Sequence, residues 1–374
     1  MEQGVMKLME LATNLFTMFR WNNTPTMFRT NEAENAFASA QFALLMSYLA
    51  RESSMSINEK ELLERIVLKE LPKCVLSDIS VDTKLLIRDL DPEKWNAVYN
   101  SAVGEVVDYL PETKKLQFSS IIHRAKDDSL EGKIISASDL LSARLEADLH
   151  NRIFPEYYGE IIKSLDDRLS QYNDFKPYKK LINSSWFDTY KESIIVLLRA
   201  VRWNRLNRNV KTTVAGHSFY VALIGFLLSY EEESNQLDEV EIIKRSLLHD
   251  IPESLTGDII TPTKQKVTGF EELVERVEEV MVSNKLLNDM PEKLISELKN
   301  KILKPFEGIN GKLVRAADLT AAIVECLMEI KSGNNQMSFR IALNNMLDQL
   351  DESEFSSVKE VADFFKLSFE WTGR

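Results

Sequence analysis

The sequence contains few cysteines, glycines and prolines, and these scarcities exclude several classes of protein. Only 2 of its 374 residues are cysteines, Cys74 and Cys326, and two thiols cannot form the disulfide framework of a small secreted domain. Both lie in apolar stretches, so a reducing, cytoplasmic location is the simplest interpretation. The 12 glycines and 10 prolines are outnumbered by leucine, glutamate, lysine and alanine, which favour helices over sheet. We therefore expect an all-α protein.

Long apolar runs and an excess of positive charge are also missing. No window holds about 18 uninterrupted apolar residues, which predicts no membrane span. The first ten residues carry Glu2 and Glu10 where a signal peptide would have a basic end. The net charge of −12 argues against binding long nucleic acid through the general surface, but not against a small phosphorylated substrate. The length predicts two domains.

Histidine is rare as well, and two of the 4 histidines fall in one ordered set of motifs. The densest part contains an adjacent pair, His249 and Asp250, with Glu253 three residues later. Apolar residues at helical spacing over 240–248 place the pair near the end of a helix, on which Asp250 and Glu253 share a face. Imidazole and carboxylate together suit a divalent metal, and a nearby carboxylate that is not a ligand suits proton transfer.

Two further pieces flank this pair. Upstream, Arg202 and Trp203 precede His217, which opens an apolar helix, and downstream the stretch 311–319, which contains Asp318, opens another. In order the chain reads H…HD…D, which resembles the HD superfamily of metal-dependent phosphohydrolases. It most closely resembles the bacterial 5'-deoxynucleotidase branch, which has Arg-Trp before the first histidine and an HDxxExxxGDxxxPxK core. The resemblance covers roughly residues 192–328.

The resemblance implies a role for each motif residue and a single divalent metal ion, which could be Mn²⁺, Co²⁺, Fe²⁺, Zn²⁺ or Mg²⁺. The expected metal ligands are His217, His249, Asp250 and Asp318. Glu253 is expected to orient the attacking water or to move its proton. The expected substrate contacts are Arg202 and Lys264 for phosphate, and Trp203 and Asp258 for the nucleoside.

Each of these residues also has an ordinary structural interpretation. His217 and Trp203 could be core residues, Asp318 could be a helix cap, and Arg202 could be a salt-bridge partner. Four ligand types in family order weigh against coincidence. The chain departs from the family pattern at Gly216, where the family commonly has an acidic residue. That departure leaves open what orients His217.

The chain also repeats itself, at an offset that drifts from 182 to 179 residues. Residues 20–21 match 202–203, residues 67–73 match 247–253, and residues 132–140 match 311–319. We infer a tandem duplication, with two HD-type helical domains at 1–178 and 179–374 that are joined near 173–183. We call these domains the first and second copies.

The first copy lacks most of the metal set. Asn35 stands for His217, Lys69 for His249, Glu70 for Asp250 and Lys73 for Glu253, and only Asp139 is retained. A protonated lysine has no lone pair, so Lys69 is expected to repel a cation and to neutralise Glu70 and Asp139 instead. The first copy is therefore predicted to be a metal-free scaffold. The alternative is a regulatory anion pocket built on Arg20, Trp21, Lys69 and Lys73.

Three classes of function remain open. The leading one is a 5'-nucleotidase that releases phosphate from (deoxy)nucleoside 5'-monophosphates. The second is a (deoxy)nucleoside triphosphohydrolase or nucleotide phosphodiesterase, and the third is a non-catalytic nucleotide sensor. The two copies are expected to pack as an intramolecular pseudo-dimer, because covalent joining gives them a high effective concentration.

Three other features of the sequence support further predictions. The basic run over 199–211 lies directly before His217 and is expected to bind an anion. His123 and His150 fall outside every motif and are expected to be structural. Residues from 336 onward have no recognisable counterpart in the first copy.

Overall fold

The computed structural model describes residues 3–232, 236–264 and 266–372, and its regular structure there is helical apart from two isolated bridges. The all-α prediction is confirmed. The chain forms two compact units, with the boundary between Lys179 and Lys180. The roles predicted for domains 1–178 and 179–374, and their packing as a pseudo-dimer, stay predictions.

The first unit is organised on a long central helix that packs against two others. Its helices are α1 (Gln3–Ala12), α2 (Asn14–Thr17), α3 (Glu32–Glu52), α4 (Glu59–Leu68), α5 (Val81–Leu90), α6 (Pro92–Val107), α7 (Glu112–His123), α8 (Leu130–Asn151) and α9 (Pro155–Ser170). A 3₁₀ turn, Leu71–Cys74, follows α4. Helix α3 packs on α8, and α8 also packs on α9.

Between the units, α10 (Lys176–Ile182) crosses the boundary. The join of the two copies is predicted near 173–183, and a break in the helical structure lies between Ser170 and Lys176. Pro177 does not lengthen this break. A proline is tolerated in the first turn of a helix, because the N–H that it lacks would have no partner there.

The second unit repeats this plan. Its helices are α11 (Ser185–Leu197), α12 (Val214–Glu231), α13 (Glu239–Leu248), α14 (Glu253–Thr256), α15 (Thr261–Lys264), α16 (Phe270–Met281), α17 (Glu292–Leu303), α18 (Gly308–Lys331), α19 (Met337–Asp351) and α20 (Ser356–Thr372). A π-helical segment, Val282–Leu286, follows α16. Helix α12 packs against α13 and α18, and α19 packs on α18.

Helix α12 is almost entirely buried in the second unit. It is long and apolar enough to cross a membrane by length and composition alone, but 89% of its apolar window is buried inside the protein. That burial is typical of the core helix of a soluble protein. Thr213 caps the helix by accepting a hydrogen bond at Oγ1 from the backbone N–H of Gly216, at 3.2 Å.

The prediction that residues from 336 onward lack a counterpart was wrong. Helix α19 packs on α18 as α9 packs on α8. The ring of Phe339 lies 5.8 Å from that of Trp203, and the ring of Tyr158 lies 5.5 Å from that of Trp21. Because packing of an apolar face requires only apolar residues at helical spacing, the equivalence survives without a recognisable sequence match.

Candidate metal and catalytic site

His217 lies in the first turn of α12, where its side chain is fully buried. The imidazole is held from both sides by carboxylates of α18. Nδ1 lies 2.9 Å from Oε1 of Glu325, and Nε2 lies 3.0 Å from Oδ1 of Asp318. Burial and Arg202 lower the pKa of His217, but Glu325 and Asp318 outweigh them and raise it above its usual value.

His249 directly follows α13, which ends at Leu248. Its Nδ1 donates to the backbone carbonyl of Ser246 at 2.7 Å, and its Nε2 lies 3.2 Å from Oδ2 of Asp250. Among the described residues, this buried Nε2 has no hydrogen-bond partner. The ring is therefore oriented with its free nitrogen toward a carboxylate oxygen.

The expectation that Asp250 and Glu253 share a face of one helix was wrong. Four residues in turn conformation, 249–252, separate α13 from α14, and α14 begins at Glu253. Pro252 contributes to the break because it has no N–H with which to continue the backbone hydrogen bonding of α13. The backbone N–H of Glu253 instead donates to the carbonyl of Asp250 at 3.1 Å.

Asp318 lies in the interior of α18, which begins ten residues earlier at Gly308. The interpretation of Asp318 as a helix cap is therefore wrong. Its two oxygens have different partners. Oδ1 faces His217, while Oδ2 accepts from Nη1 of Arg315 at 2.7 Å.

These residues converge on a place that suits a cation. One ligand atom each from His217, His249 and Asp250 lies within 4.8 Å of the others. Both histidines direct Nδ1 to an oxygen that can only accept, so in a neutral ring the lone pair is on Nε2. Each Nε2 then faces a carboxylate oxygen, of Asp318 or of Asp250, at 3.0–3.2 Å. Electron-rich atoms this close need a positive charge, which a proton on imidazole or a divalent metal can supply, and this mixed set of nitrogen and oxygen atoms suits a divalent metal.

Glu253 lies beside this cluster and is mostly buried. Its Oε2 has no hydrogen-bond partner among the residues that the structure describes. Burial, and then the charge of Asp250, raise the pKa of Glu253 well above its usual value. A carboxyl group with a raised pKa is suited to accepting and returning a proton near neutral pH.

Arg202 and Trp203 approach the cluster from the loop before α12. Nη1 of Arg202 donates to Oδ2 of Asp250 at 3.3 Å, and its Nε lies 3.5 Å from Oε2 of Glu325. The indole N–H of Trp203 donates to the same oxygen of Glu325 at 2.7 Å. Trp203 has a φ of 56°, in the left-handed region that bulky residues rarely adopt. The salt-bridge interpretation of Arg202 is therefore confirmed, and its role in substrate binding stays a prediction.

Asp258 and Lys264 are the last two residues of the predicted set, and they lie farther from the two histidines than the others. The charges of both residues influence the pKa of Glu253, which places them near it. Burial is the main reason that the pKa of Asp258 is raised. Nζ of Lys264, at the end of α15, lies 3.8 Å from Oε1 of Glu278. Neither side chain has a hydrogen bond to the histidine cluster in the described part of the chain.

Glu325 is the residue that sequence reasoning missed. It is fully buried, and it contacts His217, Arg202 and Trp203. Burial alone would raise the pKa of Glu325, but Arg202 and His217 lower it to about 2. One signal was available, because Glu146 stands 179 residues earlier, at the offset of the last repeat segment. Glu325 also lies seven residues after Asp318, which puts both residues on the same face of α18.

The basic run over 199–211 does not form one anion-binding surface, because Arg208 is already bound within the fold. The guanidinium of Arg208 is almost fully buried, and Nε donates to Oε1 of Glu329 at 2.7 Å. The backbone N–H groups of Asn209 and Val210 also donate to Glu329, each at 2.9 Å. Arg208 thus holds the loop before α12 in place.

In the first copy, Lys69 occupies the place of His249, and the expected ion pairs are confirmed. Its ammonium donates to Glu70 and to Oδ1 of Asp139, the latter at 3.0 Å. Lys73 bridges Glu32 and Glu70, at 2.7 Å from each. The buried carboxylates of Glu32 and Glu70 are thus balanced by lysine ammonium groups, and the metal-free first copy stays a prediction.

The alternative of a regulatory anion pocket loses its support for the same reason. Arg20 pairs with Glu32 and Glu146, each at 3.1 Å. Since Lys69 and Lys73 are paired as well, a phosphate would have to displace buried carboxylates and leave them without partners.

The two histidines outside the motifs have structural surroundings, as predicted. His150 is buried, and its Nδ1 accepts from the backbone N–H of Met27 at 3.2 Å. His123 lies in the last turn of α7, with Nε2 at 2.8 Å from Oδ1 of Asn100.

Removing the Lys69 ammonium should destabilise the protein. We expect Lys69→Ala to lower the free energy of unfolding by about 3–5 kcal/mol, because it leaves Glu70 and Asp139 as facing carboxylates with little access to water. Urea unfolding of the full chain, followed by circular dichroism, measures the change. Lys94→Ala is the control, since Lys94 is 85% exposed and pairs with Asp91 at the surface, so it should cost less than about 1 kcal/mol. Equal midpoints for the two variants would contradict the buried role of Lys69.

The chain matches one family model twice. The model describes the 5'-deoxynucleotidase YfbR-like family, and the matched residues are 7–178 and 189–369. The tandem repeat is thereby confirmed.

Each of the relatives below matches a stretch of this chain that is about as long as one copy. A 5'-deoxynucleotidase of Shewanella oneidensis is 27% identical over 173 residues, which is 45% of this chain and 87% of the relative. A 5'-deoxynucleotidase of Erwinia tasmaniensis is 30% identical over 166 residues, or 43% of this chain and 83% of the relative. An HD-domain phosphohydrolase of Listeria innocua has a solved structure with a TM-score of 0.42 and 16% identity, and the match covers 49% of this chain and 87% of that one.

Proposed function

The chain belongs to the YfbR-like 5'-deoxynucleotidase family and is a hydrolase, and we propose that its second copy releases phosphate from (deoxy)nucleoside 5'-monophosphates. The observation that carries this proposal is the convergence of two Nε2 atoms, from His217 and His249, on carboxylate oxygens at 3.0–3.2 Å. That arrangement supports a cation site in the copy that also carries the unpartnered carboxyl of Glu253.

The metal site would be formed by two imidazoles and two carboxylates. Its ligands would be His217, His249, Asp250 and Asp318. A divalent ion there supplies a lowered pKa for bound water and offsets phosphate charge. Mixed nitrogen and oxygen ligands suit Mn²⁺, Co²⁺, Fe²⁺ or Zn²⁺, and they do not choose between these ions or Mg²⁺.

Glu253 would handle the proton of the attacking water. Its carboxyl is buried beside Asp250, and its pKa is raised. A base with a raised pKa takes a proton more readily than an ordinary surface carboxylate, and it returns the proton to the leaving nucleoside oxygen.

The substrate would be held by charges and a ring on the rim of the cluster. Arg202 has five N–H donors, and Asp250 takes one of them at 3.3 Å, so others remain for phosphate oxygens. Lys264 would add a second positive charge near the phosphate. Trp203 and Asp258 would contact the nucleoside, as the resemblance implies.

A screen over phosphorylated substrates tests the proposal. The full chain is assayed with Mn²⁺ or Co²⁺ on mono-, di- and triphosphates of deoxyribo- and ribonucleosides, and the products are identified. Inorganic phosphate from monophosphates is the expected result. Triphosphate or pyrophosphate among the products would instead support a triphosphohydrolase. A chain that binds nucleotide and metal but releases no product would support the sensor.

A further inference from the structure

We infer that Glu325 is a positioning residue that holds His217 and the Arg202–Trp203 loop in one fixed arrangement. The inference rests on the proposed function, since it concerns the residues proposed to bind metal and substrate. Glu325 lies on α18 and the loop precedes α12, so a single carboxylate joins three parts of the site.

The two oxygens of Glu325 serve different parts of the site. Oε1 accepts from Nδ1 of His217 at 2.9 Å, which leaves the lone pair of Nε2 free for a metal. Oε2 accepts from the indole N–H of Trp203 at 2.7 Å and lies 3.5 Å from Nε of Arg202. The carboxylate is fully buried, so these hydrogen bonds are charge-assisted and shielded from water.

Two features of the site call for such a carboxylate. Gly216 has no side chain, so it cannot orient the neighbouring His217. Trp203 has a φ of 56°, a conformation that persists only when surrounding contacts hold it. Glu325 meets both needs at once. In the first copy, Glu34 stands at the place of Gly216 and completes a capping box with Asn31.

In the first copy, the carboxylate equivalent to Glu325 has only one of these two tasks. Oε2 of Glu146 accepts from the indole N–H of Trp21 at 2.7 Å, and Trp21 has a φ of 59°. Nε of Arg20 donates to the same oxygen at 3.1 Å. The place of the histidine is taken by Asn35, which binds Ser142 instead. Glu146 thus supports a left-handed tryptophan without supporting a histidine, and it is a matched control for Glu325.

The test compares Glu325→Gln with Glu146→Gln in the full-length chain. Glutamine has the same shape but only one acceptor oxygen, and its amide N–H₂ would face the second donor. We expect Glu325→Gln to weaken Mn²⁺ binding about 10–100-fold, the usual scale for the partner of a histidine ligand. It should also raise KM for the nucleotide. Glu146→Gln should keep the wild-type affinity for Mn²⁺ and the wild-type KM.

Mn²⁺ binding is measured by equilibrium dialysis of the metal-stripped chain, at a temperature where circular dichroism shows wild-type helix content. Wild-type affinity and KM in Glu325→Gln would overturn the inference. An equal loss of affinity in both variants would also overturn it, because it would indicate only general destabilisation. If the wild type releases no phosphate but Glu325→Gln still weakens Mn²⁺ binding, the proposed function fails and the positioning role stands.

Discussion

Replacing Glu253 with glutamine should lower turnover by about 10²-fold or more while the chain keeps its metal. Glutamine has the shape of the carboxyl but cannot accept a proton from water at neutral pH. The native group is suited to that task, because burial and Asp250 raise its pKa. Steady-state kinetics on the best nucleotide measures the loss, and elemental analysis of the same sample measures the metal.

The metal content separates a proton-transfer role from a structural one. Among the described residues, Oε2 of Glu253 has no hydrogen-bond partner, so its replacement should cost little stability. A Glu253→Gln chain that hydrolyses substrate at the wild-type rate would contradict the assignment. A chain that has also lost its metal would mean that Glu253 supports the ligands rather than the reaction.

The second large effect is expected from Asp318→Asn, which should abolish both metal binding and activity. Oδ1 of Asp318 lies 3.0 Å from Nε2 of His217, and an amide in its place would no longer neutralise a divalent ion. The wild-type chain should bind one ion, in the second copy, because Lys69 occupies the equivalent place in the first. Elemental analysis after dialysis against Mn²⁺ measures the number of ions per chain.

The chain provides a matched control at the equivalent position. Asp139 has the same residue type as Asp318, but it is paired with Lys69 at 3.0 Å and with Lys126 at 2.5 Å. Asp139→Asn should therefore reduce stability without changing metal content or turnover. Two ions per wild-type chain, or a loss of metal in Asp139→Asn, would show that the first copy binds metal after all.

The order of the motifs, the repeat and the helical class could be predicted from the sequence, because each depends on residue type and spacing along the chain. His249, Asp250 and Glu253 are separated by at most three residues, so backbone geometry alone keeps them close. Lys69 could be assigned to an ion pair because its charge excludes a metal ligand in its protonated form. The repeat was visible because identity at a constant offset does not depend on the fold.

Local patterns were less reliable where a helix begins or ends. Apolar spacing located α13, which precedes His249, and α18, which carries Asp318. It did not determine that α13 ends at Leu248 or that α18 begins at Gly308. Helix ends depend on capping and on tertiary contacts, which periodicity does not record.

Only the tertiary structure determined which buried groups pair across the fold. Glu325 reaches His217 over 108 residues and Trp203 over 122, and neither separation leaves a periodic signal. Helix α19 likewise became recognisable as the counterpart of α9 only through its packing on α18. Sequence therefore determined which chemical groups are available to this protein. The packing of α12 against α18 decided which of them meet, because a hydrogen bond depends on distances of a few tenths of an ångström that residue type does not encode.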